Sequence, residues 1–122
     1  MSIAHAHNPE LIYKIATAEA YAAAQASGTF TGMPVDIADG YIHFSTAEQV
    51  GQTLSLHFRG LSDLMLIAVR TADIGTELVW ETSRGGQLFP HLYAPFPMGA
   101  VEWAEAVHVE ADGRCDLPAA VR

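Results

Sequence analysis

The segment Asp63-Leu64-Met65-Leu66-Ile67-Ala68-Val69-Arg70 is apolar at every position between its charged ends. Successive strand residues face opposite sides of a sheet, so a strand that is apolar throughout must be covered on both sides. The segment therefore predicts a central strand and marks the core. Leu64 to Val69 is also the longest apolar run, and it is only a strand's length, too short for a membrane-spanning helix. A soluble domain with no membrane partner is expected.

The remaining elements follow from local signals. Leu11-Ile12-Tyr13-Lys14-Ile15 alternates and predicts a first strand, with Leu11, Tyr13 and Ile15 on one face and Ile12 and Lys14 on the other. Thr17 caps a predicted helix through the alanines to Ser27, and Gly28 sits where a helix-ending glycine belongs. Residues 29 to 38 read as a connecting loop. Asp39-Gly40 is a turn dipeptide, after which Tyr41 to Phe44 predicts a second strand with Tyr41 and His43 opposite Ile42 and Phe44. Ser45 with Glu48 three residues on reads as a capping box. A helix is expected from about Thr46 to Arg59-Gly60, presenting Val50, Leu54 and Phe58, with His57 beside that stripe, facing solvent or complementing the helix dipole.

After the central strand, Thr71 to Gly75 reads as a turn and Thr76 to Glu81 as a fourth strand. Thr82 to Gln87 reads as a flexible loop, the kind of segment where binding residues collect, and it leads into a Phe89-Pro90-His91-Leu92-Tyr93 loop. Val101, Trp103, Val107 and Val109 mark a final strand within 100 to 110. Helices come early and strands late, so the expected class is α+β with a mixed or antiparallel sheet and two early helices. The 122 residues fit one domain, with a loose leader over 1 to 10, a core over 11 to 110 and an irregular tail. His5 and His7 in the leader are weak metal candidates at most.

Charge limits the partners. Six Lys and Arg stand against fourteen Asp and Glu, a formal net charge of −8, and the basic residues are scattered. Nucleic-acid polymers and anionic membrane surfaces, which draw on clustered positive charge, are poor partners. A nucleotide-sized ligand is compatible with this balance, because a helix N-terminus and one arginine suffice to hold a phosphate. Met1 to Asn8 has neither a basic segment nor an apolar one of the secretory kind, and Cys115 has no second cysteine to pair with, so a cytoplasmic location is expected.

Polar candidates gather in three places: Tyr13 with Lys14; Tyr41 and His43 with Ser45 and Thr46; and Glu81 with His91 and Tyr93. A strand ending in a polar pair at a helix N-terminus leaves amide donors for an anionic or strongly polar ligand. Histidines that donate or accept near neutral pH suit acid–base work, and Glu81, His43 and His91 are the candidate catalytic groups. Ser45 with a histidine and Glu81 forms a weaker nucleophilic alternative. His43, His91 and Glu81 also have the composition of a two-histidine, one-carboxylate metal set. Trp80, Trp103 and Phe89 read as core or pocket wall.

Four motifs carry a family resemblance: Ile12-Tyr13-Lys14-Ile15, Asp39 through Gln49, Leu78-Val79-Trp80-Glu81, and Phe89-Pro90-His91-Leu92-Tyr93-Ala94-Pro95. Together they resemble the bacterial and plant family called domain of unknown function 952, from Leu11 to about Val109. Tyr41, Phe44 and Ala94 are mild departures from its usual Phe, Leu and Gly. The resemblance implies a fold like the ADP-ribosyltransferase superfamily, whose split antiparallel sheet holds NAD in a cleft. It implies no established activity. Ser45-Thr46 after Phe44 looks like the element that supports the nicotinamide ribose there, and Glu81 is the counterpart of the glutamate that orients the ribose. Tyr13 stands where those enzymes carry a histidine or arginine.

The leading expectation is a cleft that binds a nucleotide or other small polar ligand, lined by Tyr13, Lys14, Tyr41, His43, Ser45, Thr46, His91 and Tyr93. The residues name no particular cofactor. A non-catalytic ligand-binding or protein-interaction module is the competing expectation, and a His43/His91/Glu81 metal-dependent hydrolase a third.

Overall fold

The computed structural model describes residues 9–121; the leader histidines His5 and His7 lie outside them. Strands β1 (Leu11–Thr17), β2 (Thr29–Phe30), β3 (Ile42–His43), β4 (Leu64–Arg70), β5 (Leu78–Thr82), β6 (Leu88–Leu92), β7 (Phe96–Pro97) and β8 (Val101–Val107) accompany helices α1 (Ala18–Ser27), α2 (Pro34–Asp39) and α3 (Ala47–His57). The strands form three sheets, ordered β1-β4-β8, β2-β7 and β3-β6-β5, and every pairing is antiparallel. The class is α+β. No helix among the described residues is long and apolar enough to cross a membrane.

β4 is central in its sheet, as its two apolar faces require. Ile67 and Val69 pack with Ile12, Ala16, Phe30, Phe44, Leu92 and Phe96 in one core cluster. Leu64, Leu66 and Ala68 face the other way and pack with Tyr13, Ile15, Val50 and Leu54. The alternation of β1 serves both clusters in the same manner. Each fully buried Leu, Ile, Val or Phe contributes roughly 1.5–3 kcal/mol, so this two-sided burial dominates the stability of the fold. Trp80 and Trp103 are half-buried walls of the first and second cluster respectively.

α1 has the predicted ends: Thr17 accepts from the Ala20 amide at 3.1 Å, and Gly28 adopts φ +88°. α3 presents the predicted Val50, Leu54 and Phe58 stripe to the second cluster. Its cap differs from the sequence reading. Thr46 is the N-cap and the helix starts at Ala47, with Gln49 Oε1 accepting the Thr46 amide at 3.0 Å. Gln49 is buried and its Nε2 donates to the Leu88 carbonyl at 2.8 Å, whereas Glu48 is exposed. Ser45 and Glu48 share the spacing of Thr46 and Gln49; the tie to β6 selects the second pair.

Two further expectations are corrected. Part of the predicted loop over 29 to 38 is α2, a six-residue helix opened by Pro34 and closed by Gly40 at φ +87°. It is too short to show periodicity. The Phe89 to Tyr93 segment is not a loop, since Leu88 to Leu92 form the middle strand of β3-β6-β5. Pro90, which donates no hydrogen bond, disguised that strand; its carbonyl accepts the Phe44 amide at 3.0 Å.

Candidate functional site

Strand alternation gives the β3-β6-β5 sheet one apolar and one polar face. Ile42, Phe44, Leu78, Trp80 and Leu92 turn toward the first core cluster. The opposite face brings together Tyr41, His43, Glu81, His91 and Tyr93, with His43 directly across from His91 in the β3–β6 register. Tyr41 lies at the centre of this group. Its ring is stacked on His91 at 4.2 Å, with His43 at 4.5 Å and Tyr93 at 5.1 Å.

Each histidine is held by carboxylates. His91 Nδ1 lies 2.7 Å from Glu81 Oε1, and the Tyr93 hydroxyl donates to the same oxygen at 2.7 Å. The bond from His91, followed by that from Tyr93, lowers the Glu81 pKa; the bond to Glu81 pushes the Tyr93 hydroxyl up to about 12. His43 sits between two acids, with Nδ1 2.7 Å from Asp36 Oδ1 and Nε2 2.9 Å from Asp39 Oδ2. Tyr41 is pushed up by its burial and by the charges of Asp39 and Glu81.

Asp36 is the hub that the sequence reading missed. Its carboxylate accepts from Lys14 Nζ at 2.9 Å, the Met33 amide at 2.6 Å, the His43 amide at 3.0 Å and the His43 ring. Burial alone would raise its pKa, but the His43 bond and the Lys14 charge outweigh burial and lower it to about 2. For Lys14 burial wins, and the pKa falls despite Asp36. The opposite outcomes follow from geometry: several donors surround the carboxylate, while the ammonium has one acid. The signal in the sequence was weak, a lone acid at the third position of a helix too short to recognise.

A cavity of about 590 Å³ opens beside this cluster, where the sheets meet through the Tyr13–Ser45 bridge. Of the predicted binding residues, Tyr13, Lys14, His43, Ser45 and His91 line it; Tyr41 and Tyr93 line a smaller depression of about 210 Å³. Thr46 and Glu81 line neither. Arg84, Thr53 and Phe89 join the cavity wall, as does His57, exposed at the end of α3. Arg84 comes from the predicted flexible loop. Its Nη2 donates to Thr53 Oγ1 at 3.1 Å, and its guanidinium stands 4.9 Å over the Phe89 ring.

Two chemical alternatives lose their geometry. The Ser45 hydroxyl shares its hydrogen bond with Thr53 at 3.0 Å rather than with a histidine, so among the described residues Ser45 belongs to no nucleophilic triad. Among the described residues no group of three or more His, Cys, Asp or Glu is placed to hold a metal ion. His43, His91 and Glu81 do not form such a set, because Glu81 occupies His91 Nδ1 while Asp36 and Asp39 occupy both nitrogens of His43.

Comparison with known proteins places this geometry in context. A family model described as "Protein of unknown function (DUF952)" matches residues 15–104. The crystal structure of protein CC0527 from Caulobacter crescentus, a structural-genomics target, is 44% identical and superposes with a TM-score of 0.82, covering 87% of this chain and 93% of that one. Its solution NMR structure gives 45% identity, a TM-score of 0.75, and coverage of 86% and 90%. No curated protein matches significantly.

Proposed function

The chain belongs to the DUF952 family of proteins of unknown function, and from that premise we propose that it binds a small, nucleotide-like anion in the 590 Å³ cavity. The observation that carries this reading is that the wall presents nitrogen groups and no carboxylate, with Arg84 as its uncompensated charge because Asp36 pairs Lys14. Lys14, His43, His57, Arg84 and His91 line the cavity and no Asp or Glu does, in a chain of net charge −8. Arg84 has no carboxylate partner among the described residues, and a guanidinium fork beside the linked Thr53 and Ser45 hydroxyls suits a phosphate group. Apolar Met33, Val35, Phe44 and Phe58 line the same cavity and suit the flat part of such a ligand. The volume lies within the roughly 300–1,000 Å³ of ordinary small-molecule sites.

In its finer form the reading is an ADP-ribosyltransferase-like cleft within one domain of residues 1 to 122, whose core spans residues 11 to 110. Ser45 after Phe44 supports it, since both are on the cavity wall. Glu81 is off that wall and acts in this reading through His91 instead of touching a ribose. A non-catalytic role is favoured at one residue, His43, whose ring nitrogens are both engaged by acids.

Thermal-shift titration with NAD, ADP-ribose and nucleoside phosphates, against uncharged nucleosides, tests the proposal. A ligand at 100 times its dissociation constant adds about 2.7 kcal/mol of apparent stability. The expected result is a shift with the anions alone, lost in Arg84→Ala. No shift with any anion, or equal shifts with neutral nucleosides, would overturn it.

A further inference from the structure

One imidazole on the cavity wall is arranged for more than binding. His91 is 5% exposed and sits in the middle strand β6, its ring fixed by stacking on Tyr41 and by the 2.7 Å contact of Nδ1 with Glu81. Glu81 is ionised and can only accept, so Nδ1 carries a proton. Nε2 has no hydrogen-bond partner among the described residues. His91 lines the cavity and Glu81 does not, and the ring edge opposite Glu81, which bears Nε2, is the one left free of protein hydrogen bonds. A buried polar atom left without a partner costs roughly 1–3 kcal/mol, and water or a ligand at this position removes that cost. The neighbouring His43, 5.6 Å away between ring centroids, offers no such atom because acids take both of its nitrogens.

The geometry points to His91 as a catalytic general base that activates water against a phosphodiester held in the cavity, which makes this protein a hydrolase. This rests on the anion-binding reading above. Nε2 takes a proton from water as the water oxygen forms a bond to phosphorus. The bond from phosphorus to the leaving oxygen breaks on the opposite side, that oxygen takes a proton from solvent water, and Nε2 returns its own proton to solvent. One water is consumed and nothing is oxidised or reduced. Arg84 neutralises charge on the phosphoryl oxygens, while Glu81, braced by the Tyr93 hydroxyl, is a positioning residue that holds the imidazole tautomer. A diester suits this arrangement better than a monoester, because its single negative charge repels an incoming water oxygen less.

The test uses bis(p-nitrophenyl) phosphate and a nucleoside 2′,3′-cyclic phosphate as probes. Wild-type protein is expected to hydrolyse at least one, His91→Gln to lose roughly 100-fold or more in kcat, and Arg84→Ala to lose chiefly in KM. Glu81→Gln is expected to lower kcat with little change in KM. Long-range proton–nitrogen NMR of the wild-type protein supplies a readout without turnover, with His91 expected as the Nδ1–H tautomer. No hydrolysis of either diester, undiminished hydrolysis by folded His91→Gln, or the Nε2–H tautomer would each overturn the proposal. Anion shifts that persist without hydrolysis would overturn the catalysis and leave the binding reading standing, whereas loss of both would overturn both.

Discussion

Replacing Asp36 by asparagine removes one charge from a buried carboxylate that accepts four hydrogen bonds, and leaves its shape. In the native structure Asp36 is 2% exposed, and its oxygens take donors from Lys14, Met33 and His43. Asparagine retains one accepting oxygen and puts an NH₂ group where the other stood, against further donors. Lys14, 3% exposed and 2.8 Å from Asp36 Oδ2, then lies buried without its counter-ion. Breaking a buried pair from one side costs about 3–5 kcal/mol, a large part of the ~5–15 kcal/mol that holds a domain of this size together. Lys14→Met is expected to cost less, about 1–3 kcal/mol, because the carboxylate keeps its other donors. The double variant should be more stable than the sum of the two effects predicts, with a coupling of at least ~1 kcal/mol. Urea denaturation at neutral pH measures all three. A loss below ~1 kcal/mol in Asp36→Asn, or strictly additive effects, would refute the reasoning.

The same carboxylate ties stability to acid. Its folded pKa, about 2, lies below the ordinary 3.8, so its contribution is complete above pH 3.8 and is lost as pH falls through about 2. At 1.36 kcal/mol per unit, the contribution is about 2 kcal/mol. Asp36→Asn should flatten the acid limb of the stability profile by that amount, and an unchanged limb would contradict the assignment.

Three further outcomes are expected. In Glu81→Gln the Tyr93 hydroxyl loses its charged acceptor, and its titration should fall from about 12 toward the ordinary 10 in ultraviolet phenolate absorbance; an unmoved titration would show that Glu81 is not its partner. Gln49→Ala should cost about 1 kcal/mol through loss of the Thr46 cap contact and the bond to Leu88, while Glu48→Ala should stay within ~0.5 kcal/mol. The reverse order in thermal denaturation would restore Ser45 as the cap. Gly40→Ala should cost about 1–2 kcal/mol from backbone strain alone, because φ is +87° and an added Cβ meets nothing within 4 Å; a neutral effect in chemical denaturation would contradict that conformation.

Elements whose rules act over a few residues could be read from the chain. β4 was recognisable because apolar side chains on both faces leave a strand no place but the centre of a sheet. α1 was recognisable from Thr17 and Gly28, and α3 from the spacing of Val50, Leu54 and Phe58. The alternation of Tyr41 and His43 against Ile42 and Phe44 likewise anticipated which side of the sheet is polar. β6 was hidden because Pro90 breaks the local rule for strands, and α2 because a single short helix contains too few residues for a period to show.

What the chain's order alone determined, then, is where the backbone turns, which faces are apolar and which residue types carry polar chemistry, since propensity and alternation are properties of neighbours. Only the tertiary structure decided the partners. Asp36 meets Lys14 across 22 positions, Glu81 meets His91 across 10, and Arg84 reaches Thr53 across 31. It also chose Gln49 over Glu48 as the capping residue, because Gln49 alone reaches the carbonyl of β6. The physical reason is that a buried charge or hydrogen-bonding group takes its energy from whatever packing brings within about 3 Å, and that distance is independent of separation along the chain.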